Sequence, residues 1–219
     1  MVAFTTVSSE NLIARPLIAK WATAEDHTQA IHRQSDARQR DFLLARAVLR
    51  ALLAHLTGAG DWHICPDTKG KPQALTATGI AGPHISLSHT HGLVACAVSD
   101  EGPVGIDIEY WRERDFTALA DYAFGPRERE EVAHNGISAF YRIWTLREAI
   151  AKAIGEGLIA TIDGLDSVAD APASGSWATK TWQLFYTSPQ IDYSLAMASV
   201  GENTWSEMPI TLIDSATII

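Results

Sequence analysis

Apolar residues along the chain follow two spacings, and the change from one to the other marks the elements. Across residues 35–56, "SDARQRDFLLARAVLRALLAHL", Phe42, Ala45, Leu49, Leu52, Leu53 and Leu56 recur at helical spacing. Ser35 or Asp36 opens this helix as N-cap and "TGAGD" closes it. Arg46 and Arg50, four apart, share another of its faces. The segment "ISAFYRIWTLREAIAKAIGEGL" predicts a second long helix, ended by Gly155. Its apolar stripe is Ile143, Leu146, Ile150 and Ala153, while Glu148 and Lys152 project from the other side. "DFTALADYAF" and "GPREREEVAHN" predict shorter helices before it.

Strand spacing governs other stretches. "HISLSHTHGLVACAVS" reads as two short strands around His89–Gly92. In "VGIDIEYW", Val104, Ile106 and Ile108 fall on one face, and Gly105, Asp107 and Glu109 on the other. "NLIARPLIAKW" is expected to form the first strand, with later strands at Trp177–Tyr186, Tyr193–Val200 and Pro209–Ile213. "TKGKP" is a turn-rich loop and "ADAPASGS" another; no repeat or low-complexity run stands out. This order of helices and strands predicts an α+β fold with a lobe boundary near residues 100–103.

Composition narrows the function classes. A chain of 219 residues makes one large domain or two small lobes. With 47% hydrophobic and 20% charged residues it has the balance of a globular protein. A net charge of −9 argues against broad binding to nucleic acid or to an acidic membrane, though a local basic site is compatible with it. Cys65 and Cys96 lack metal-type spacing and are read as reduced thiols. The N-terminal segment has no signal-peptide pattern and no apolar run is long enough to span a bilayer, so the expected location is the cytoplasm.

Two segments carry chemistry. Asp107 and Glu109 share a strand face, where like charges repel unless water or a cation lies between them. Glu148 is the best third ligand, and three carboxylates suit Mg²⁺, which keeps its other positions for water and phosphate. The plainer alternatives are an exposed Asp-x-Glu strand face and a surface Glu148–Lys152 pair worth about 0.3–0.5 kcal/mol. "HISLSHTH" holds His84, His89 and His91, which raises zinc, but the spacing matches no zinc motif. A turn that presents Ser88 and His89 to an anion fits at least as well, with a hydrogen-bonded structural role the plain alternative for His84 and His91.

In that order and at about that separation, "HISLSHTHG", "VGIDIEYW" and "WTLREAIAKAIGEGL" resemble the signature of the Sfp-type 4′-phosphopantetheinyl transferases. "GKP" at Gly70–Pro72 resembles a fourth element, and "DFLLARAVLR" the family's N-terminal helix. The resemblance runs from about Arg38 to Leu158, and Trp144 and Ala149 bring it closer to the W…KEA subgroup. One position departs: Arg147 stands where the family usually has lysine, a planar fork in place of a point charge, which bears on how pyrophosphate is positioned.

The resemblance implies a pseudo-twofold pair of similar α/β lobes, here 1–102 and 103–219, with coenzyme A in the cleft between them. It implies transfer of the 4′-phosphopantetheine arm of coenzyme A to a serine of an apo-carrier protein, releasing adenosine 3′,5′-bisphosphate. On the same ground Asp107, Glu109 and Glu148 hold Mg²⁺, and Glu148 or a metal-bound water is the base. Lys152 neutralises charge on the bridging and leaving oxygens. Ser88 and His89 hold the phosphates, and Lys71 and Pro72 lie on the nucleotide side. Arg46 and Arg50 are candidates for the 3′-phosphate, a solvated helix face being the alternative. The implied partners are carrier proteins of fatty acid, polyketide or non-ribosomal peptide synthesis, met by a monomer. A metal-dependent phosphohydrolase and a coenzyme A-binding module that has lost transfer are the competing readings.

Overall fold

A computed structural model describes residues 2–10, 12–156, 174–177, 180–200 and 210–212. The chain divides into two compact units, the first running to Glu101 and taking back Ile210–Leu212, the second starting at Gly102. The architecture is mixed α and β in both. Residues 103–219 were expected to form one lobe, yet Ile210–Leu212 pairs in the first unit's sheet.

The first unit is built on a sheet of order β10-β1-β5-β4. Its strands are β1 (Val2–Ser8), β4 (His84–Thr90), β5 (Leu93–Ser99) and β10 (Ile210–Leu212). β1 shows no alternation in the sequence, because it is buried along nearly its whole length. The expected strand at 11–21 is instead helix α1 (Ala14–Trp21), which buries Ala14 and Leu17. Pro16 is compatible with that helix because it lies in the first turn, where backbone N–H groups have no intrahelical acceptor. A second helix, α2 (Ala24–Ala30), opens on a capping box between Thr23 and Asp26.

Helix α3 (Asp36–Thr57) is capped by Ser35 and stopped by Gly58 in the left-handed conformation. Its Leu49, Leu52 and Leu53 join Val94, Cys96 and Val98 of β5 in one core. β2 (His63–Pro66) and β3 (Pro72–Leu75) form a separate hairpin that the turn-rich sequence concealed. β4 and β5 meet in a two-residue turn, His91–Gly92, both with positive φ, as tight hairpins require.

In the second unit β6 (Val104–Tyr110) heads a sheet of order β6-β9-β8-β7. Here β7 is Ser174–Trp177, β8 Lys180–Thr187 and β9 Tyr193–Val200. Ser174–Ser176, expected in a loop, are thus in a strand; residues 169–173, Pro209, Ile213, Gly157 and Leu158 lie outside the described residues. Helix α4 (Phe116–Ala123) is capped by Asp115. Helix α5 (Pro126–Ile154) is interrupted at Gly136, whose φ of 65° and ψ of −144° are open to glycine alone, and ends at Gly155. Among the described residues no helix is long and apolar enough to cross a membrane.

Candidate active site

β6 and the second half of α5 come together at a glycine. A Cβ on Gly105 would lie 1.9 Å from the carbonyl oxygen of Ala149 and 2.6 Å from the amide nitrogen of Ala153. The absent side chain lets the helix backbone rest on the strand. Asp107, two residues on and so on the same face, then meets the helix as well. Its Oδ1 accepts a hydrogen bond of 2.7 Å from Lys152 Nζ. The Lys152 pair is therefore made across to the strand, not along the helix to Glu148 as in the surface-pair alternative.

Three carboxylates share this corner. Asp107 is buried, while Glu109 and Glu148 are half-buried. Burial, then Asp107, and more weakly Glu148, push the Glu109 carboxyl up to about 7, against the pull of Arg114 and Lys152. Burial and Asp107 also raise Glu148, with Lys152 opposing. Among the described residues, Lys152 opposes this crowding at Glu109 and Glu148, and Arg114 does so at Glu109. Even so, among the described residues no set of three His, Cys, Asp or Glu stands close enough to hold a metal ion.

The residue before Glu148 is engaged within its own helix. Arg147 is fully buried, and its Nε and Nη2 donate to Oε1 and Oε2 of Glu128. Glu128 Oε2 also accepts the backbone N–H of Gly125, which caps the start of α5. Arg147 thus ties the second half of α5 to the first, across the Gly136 break.

The other candidates belong to the first unit. Arg46 and Arg50 do not form a solvated helix face; both are buried. Arg50 donates to both oxygens of Asp26 and to the carbonyls of Trp62 and Trp21. Arg46 donates to the Ile64 carbonyl and packs over Phe42, and burial, with Arg50 and Arg33 close by, lowers its pKa against the pull of Asp26. Lys71 lies in a turn ordered by Asp67, whose Oδ1 accepts from the Lys69 and Lys71 amides, and Pro72 begins β3. Burial, opposed by Asp67, lowers the pKa of Lys71, and burial and the charge of Lys71 lower that of His84, which favours the neutral imidazole there. Ser88 and His89 are adjacent within β4, not in a turn, so their side chains take opposite faces, one buried and one exposed. Asp26, Glu128 and His84 were not singled out as partners in the sequence; only the T-x-x-D spacing before α2 foreshadowed Asp26.

Two family models match the chain. That of the 4′-phosphopantetheinyl transferase superfamily covers residues 103–200, and that of the 4′-phosphopantetheinyl transferase N-terminal domain covers 26–99. Over 171 residues the chain is 30% identical to 4′-phosphopantetheinyl transferase HetI of Nostoc sp. strain PCC 7120, spanning 74% of this chain and 72% of that protein. The chain belongs to the Sfp-type 4′-phosphopantetheinyl transferase family. Two shorter matches agree. The transferase is 34% identical over 123 residues to 4′-phosphopantetheinyl transferase AcpT of Salmonella typhi, which covers 54% of this chain and 60% of that one. It is 36% identical over 84 residues to 4′-phosphopantetheinyl transferase gsp of Aneurinibacillus migulanus, over 36% and 35% of the two chains. The first model holds the whole Gly105, Asp107, Glu109, Glu148 and Lys152 group; the second opens at Asp26, the partner of Arg50.

Proposed function

We propose that this transferase moves the 4′-phosphopantetheine arm of coenzyme A onto a serine hydroxyl of an apo-carrier protein, releasing adenosine 3′,5′-bisphosphate, with Mg²⁺ as cofactor. The observation that carries the reading is the corner where Lys152 meets Asp107 beside Glu109 and Glu148. Its donors are of the chemical type the cation takes, hard carboxylate oxygens on one strand face and the helix turn against it, although the three side chains do not close into one coordination shell as they stand. Asp107, Glu109 and Glu148 would hold it once their side chains turned toward one another from the spread they have here. When bound, Mg²⁺ supplies charge neutralisation at the pyrophosphate.

The chain's own residues supply the rest. Glu148, with its raised proton affinity, accepts the proton of the carrier serine as the hydroxyl attacks the β-phosphorus of coenzyme A. Lys152, held in place by Asp107, faces the negative charge that develops on the bridging and leaving oxygens. His89, whose side chain is on the exposed face, binds phosphate with Ser88 next to it in β4, and Lys71 and Pro72 flank the nucleotide. Of the two helix arginines, Arg46 suits the 3′-phosphate better, because Asp26 already engages Arg50 on two sides. The reading also takes the protein as a monomer with two similar lobes. Supporting the likeness of the lobes, each unit runs from a strand through helices to a hairpin whose last strand pairs with the first.

Incubation with coenzyme A, Mg²⁺ and an apo acyl carrier protein tests the reading by mass spectrometry of the carrier. Transfer adds the phosphopantetheine mass. Free phosphate with an unchanged carrier would favour a hydrolase, and binding of coenzyme A without either product a module that has lost transfer.

A further inference from the structure

The two units contain the same brace. Arg50 of α3 and Arg147 of α5 each precede, by the same number of residues, the left-handed glycine that ends the helix. Both are buried, and both grip one carboxylate with two N–H groups: Asp26 for Arg50, Glu128 for Arg147. Each acid is the third residue of a helix and accepts the backbone N–H of that helix's N-cap, Thr23 in one case and Gly125 in the other. The strands agree in register as well. β1 runs against β5 from Val2↔Ser99 to Ser8↔Leu93, and β6 against β9 from Val104↔Ser199 to Tyr110↔Tyr193.

Superposing these registers places Thr5 and Val7 at the positions of Asp107 and Glu109. Ala51 and His55 fall at the positions of Glu148 and Lys152. The brace is thus present in a unit that has none of the three acids. We infer that Arg147 is a positioning residue: it does not contact pyrophosphate but fixes the rotation of α5. Successive helical residues point about 100° apart. With Arg147 locked inward on Glu128, Glu148 is turned toward the face that carries Lys152 onto Asp107. Lysine at this position keeps the charge but loses the fork that grips both carboxylate oxygens.

This inference rests on the functional reading above, and four variants test it: Arg147→Met, Glu128→Gln, Arg147→Lys and the double Arg147→Met/Glu128→Met. Thermal melts are paired with separate kcat and KM for coenzyme A in carrier loading. Either charge-stranding single variant should lower the melting point by about 6–20 °C. Both should lower kcat alike, with KM within about twofold, the pattern expected when a group acts without touching the substrate. The double variant, which strands no charge, should recover most of the melting point. Arg147→Lys should fold and lose roughly three- to tenfold in kcat at unchanged KM. A tenfold rise in KM confined to the Arg147 variants would place the guanidinium on the substrate and overturn the inference. So would a double variant no more stable than either single one. If the wild type itself loads no carrier, the functional reading fails, while the melts still test the brace.

Discussion

Lys152 Nζ stands 2.7 Å from Asp107 Oδ1, joining helix to strand at the point where three carboxylates crowd. Replacing Asp107 with asparagine removes both a proposed ligand and the anchor of the ammonium. Transfer should fall by about 10²-fold or more, the scale of losing one preorganised electrostatic group. Stability without metal should change by less than about 1 kcal/mol, because the Lys152 side chain is 31% exposed and the remaining acids repel less. Carrier loading and melts of metal-free protein check both. Near-normal loading would remove Asp107 from the site.

Glu109 sets a pH dependence. Burial first, then Asp107 and Glu148, hold its proton to about 7, whereas an ordinary glutamate loses it near 4.5. Between those values the folded state binds more protons than the unfolded, so stability falls as pH rises. This contribution is full below the unfolded value and gone above the folded one. Melting points of metal-free protein should therefore drop as pH climbs from about 4.5 to about 7 and level off above, and Glu109→Gln should flatten the drop. A steeper profile in the variant would contradict the assignment.

Gly105→Ala should be severe. The added methyl meets helix backbone, not a movable side chain, so α5 must shift away from β6. A cost of about 1–3 kcal/mol or more follows from overpacking. The surviving folded protein should lose transfer out of proportion to stability, since Glu148 and Lys152 ride on the displaced helix. Urea melts and loading rates on the same preparation measure the two effects.

Gly136→Ala isolates backbone strain. Nothing lies within 4 Å of the position its Cβ would take, so packing contributes no penalty. The positive φ with strongly negative ψ alone should cost about 1–3 kcal/mol. Because Arg147 ties the two halves of α5 together, loading rates should fall with that loss. A neutral melt would show that the helix can straighten freely.

Much of this was legible in the sequence. The α3 stripe, its start at Ser35 or Asp36, the Gly155 stop and the Gly105, Asp107, Glu109 face all follow from local sequence, and the structure selects Ser35 as the cap. What stayed hidden has physical reasons. β1 is buried along nearly its whole length and so lacks a period. α1 carries a proline that reads as a breaker unless its place in the first turn is known. Arg50 reads as a 3′-phosphate or solvated group, and Arg147 as one that bears on the pyrophosphate, because their carboxylate partners, Asp26 and Glu128, are 24 and 19 residues away. No local pattern joins residues at that distance.

The Thr5 and Val7 positions of β1 give the protein a built-in reference. Hydrogen exchange followed on one sample reads two strands of matched register, one with carboxylates on its helix-facing side and one without. Any slowing of exchange on adding Mg²⁺ that appears in β6 but spares β1 comes from the acids and not from the sheet. The chain thereby supplies, in a single tube, both the measurement and its blank.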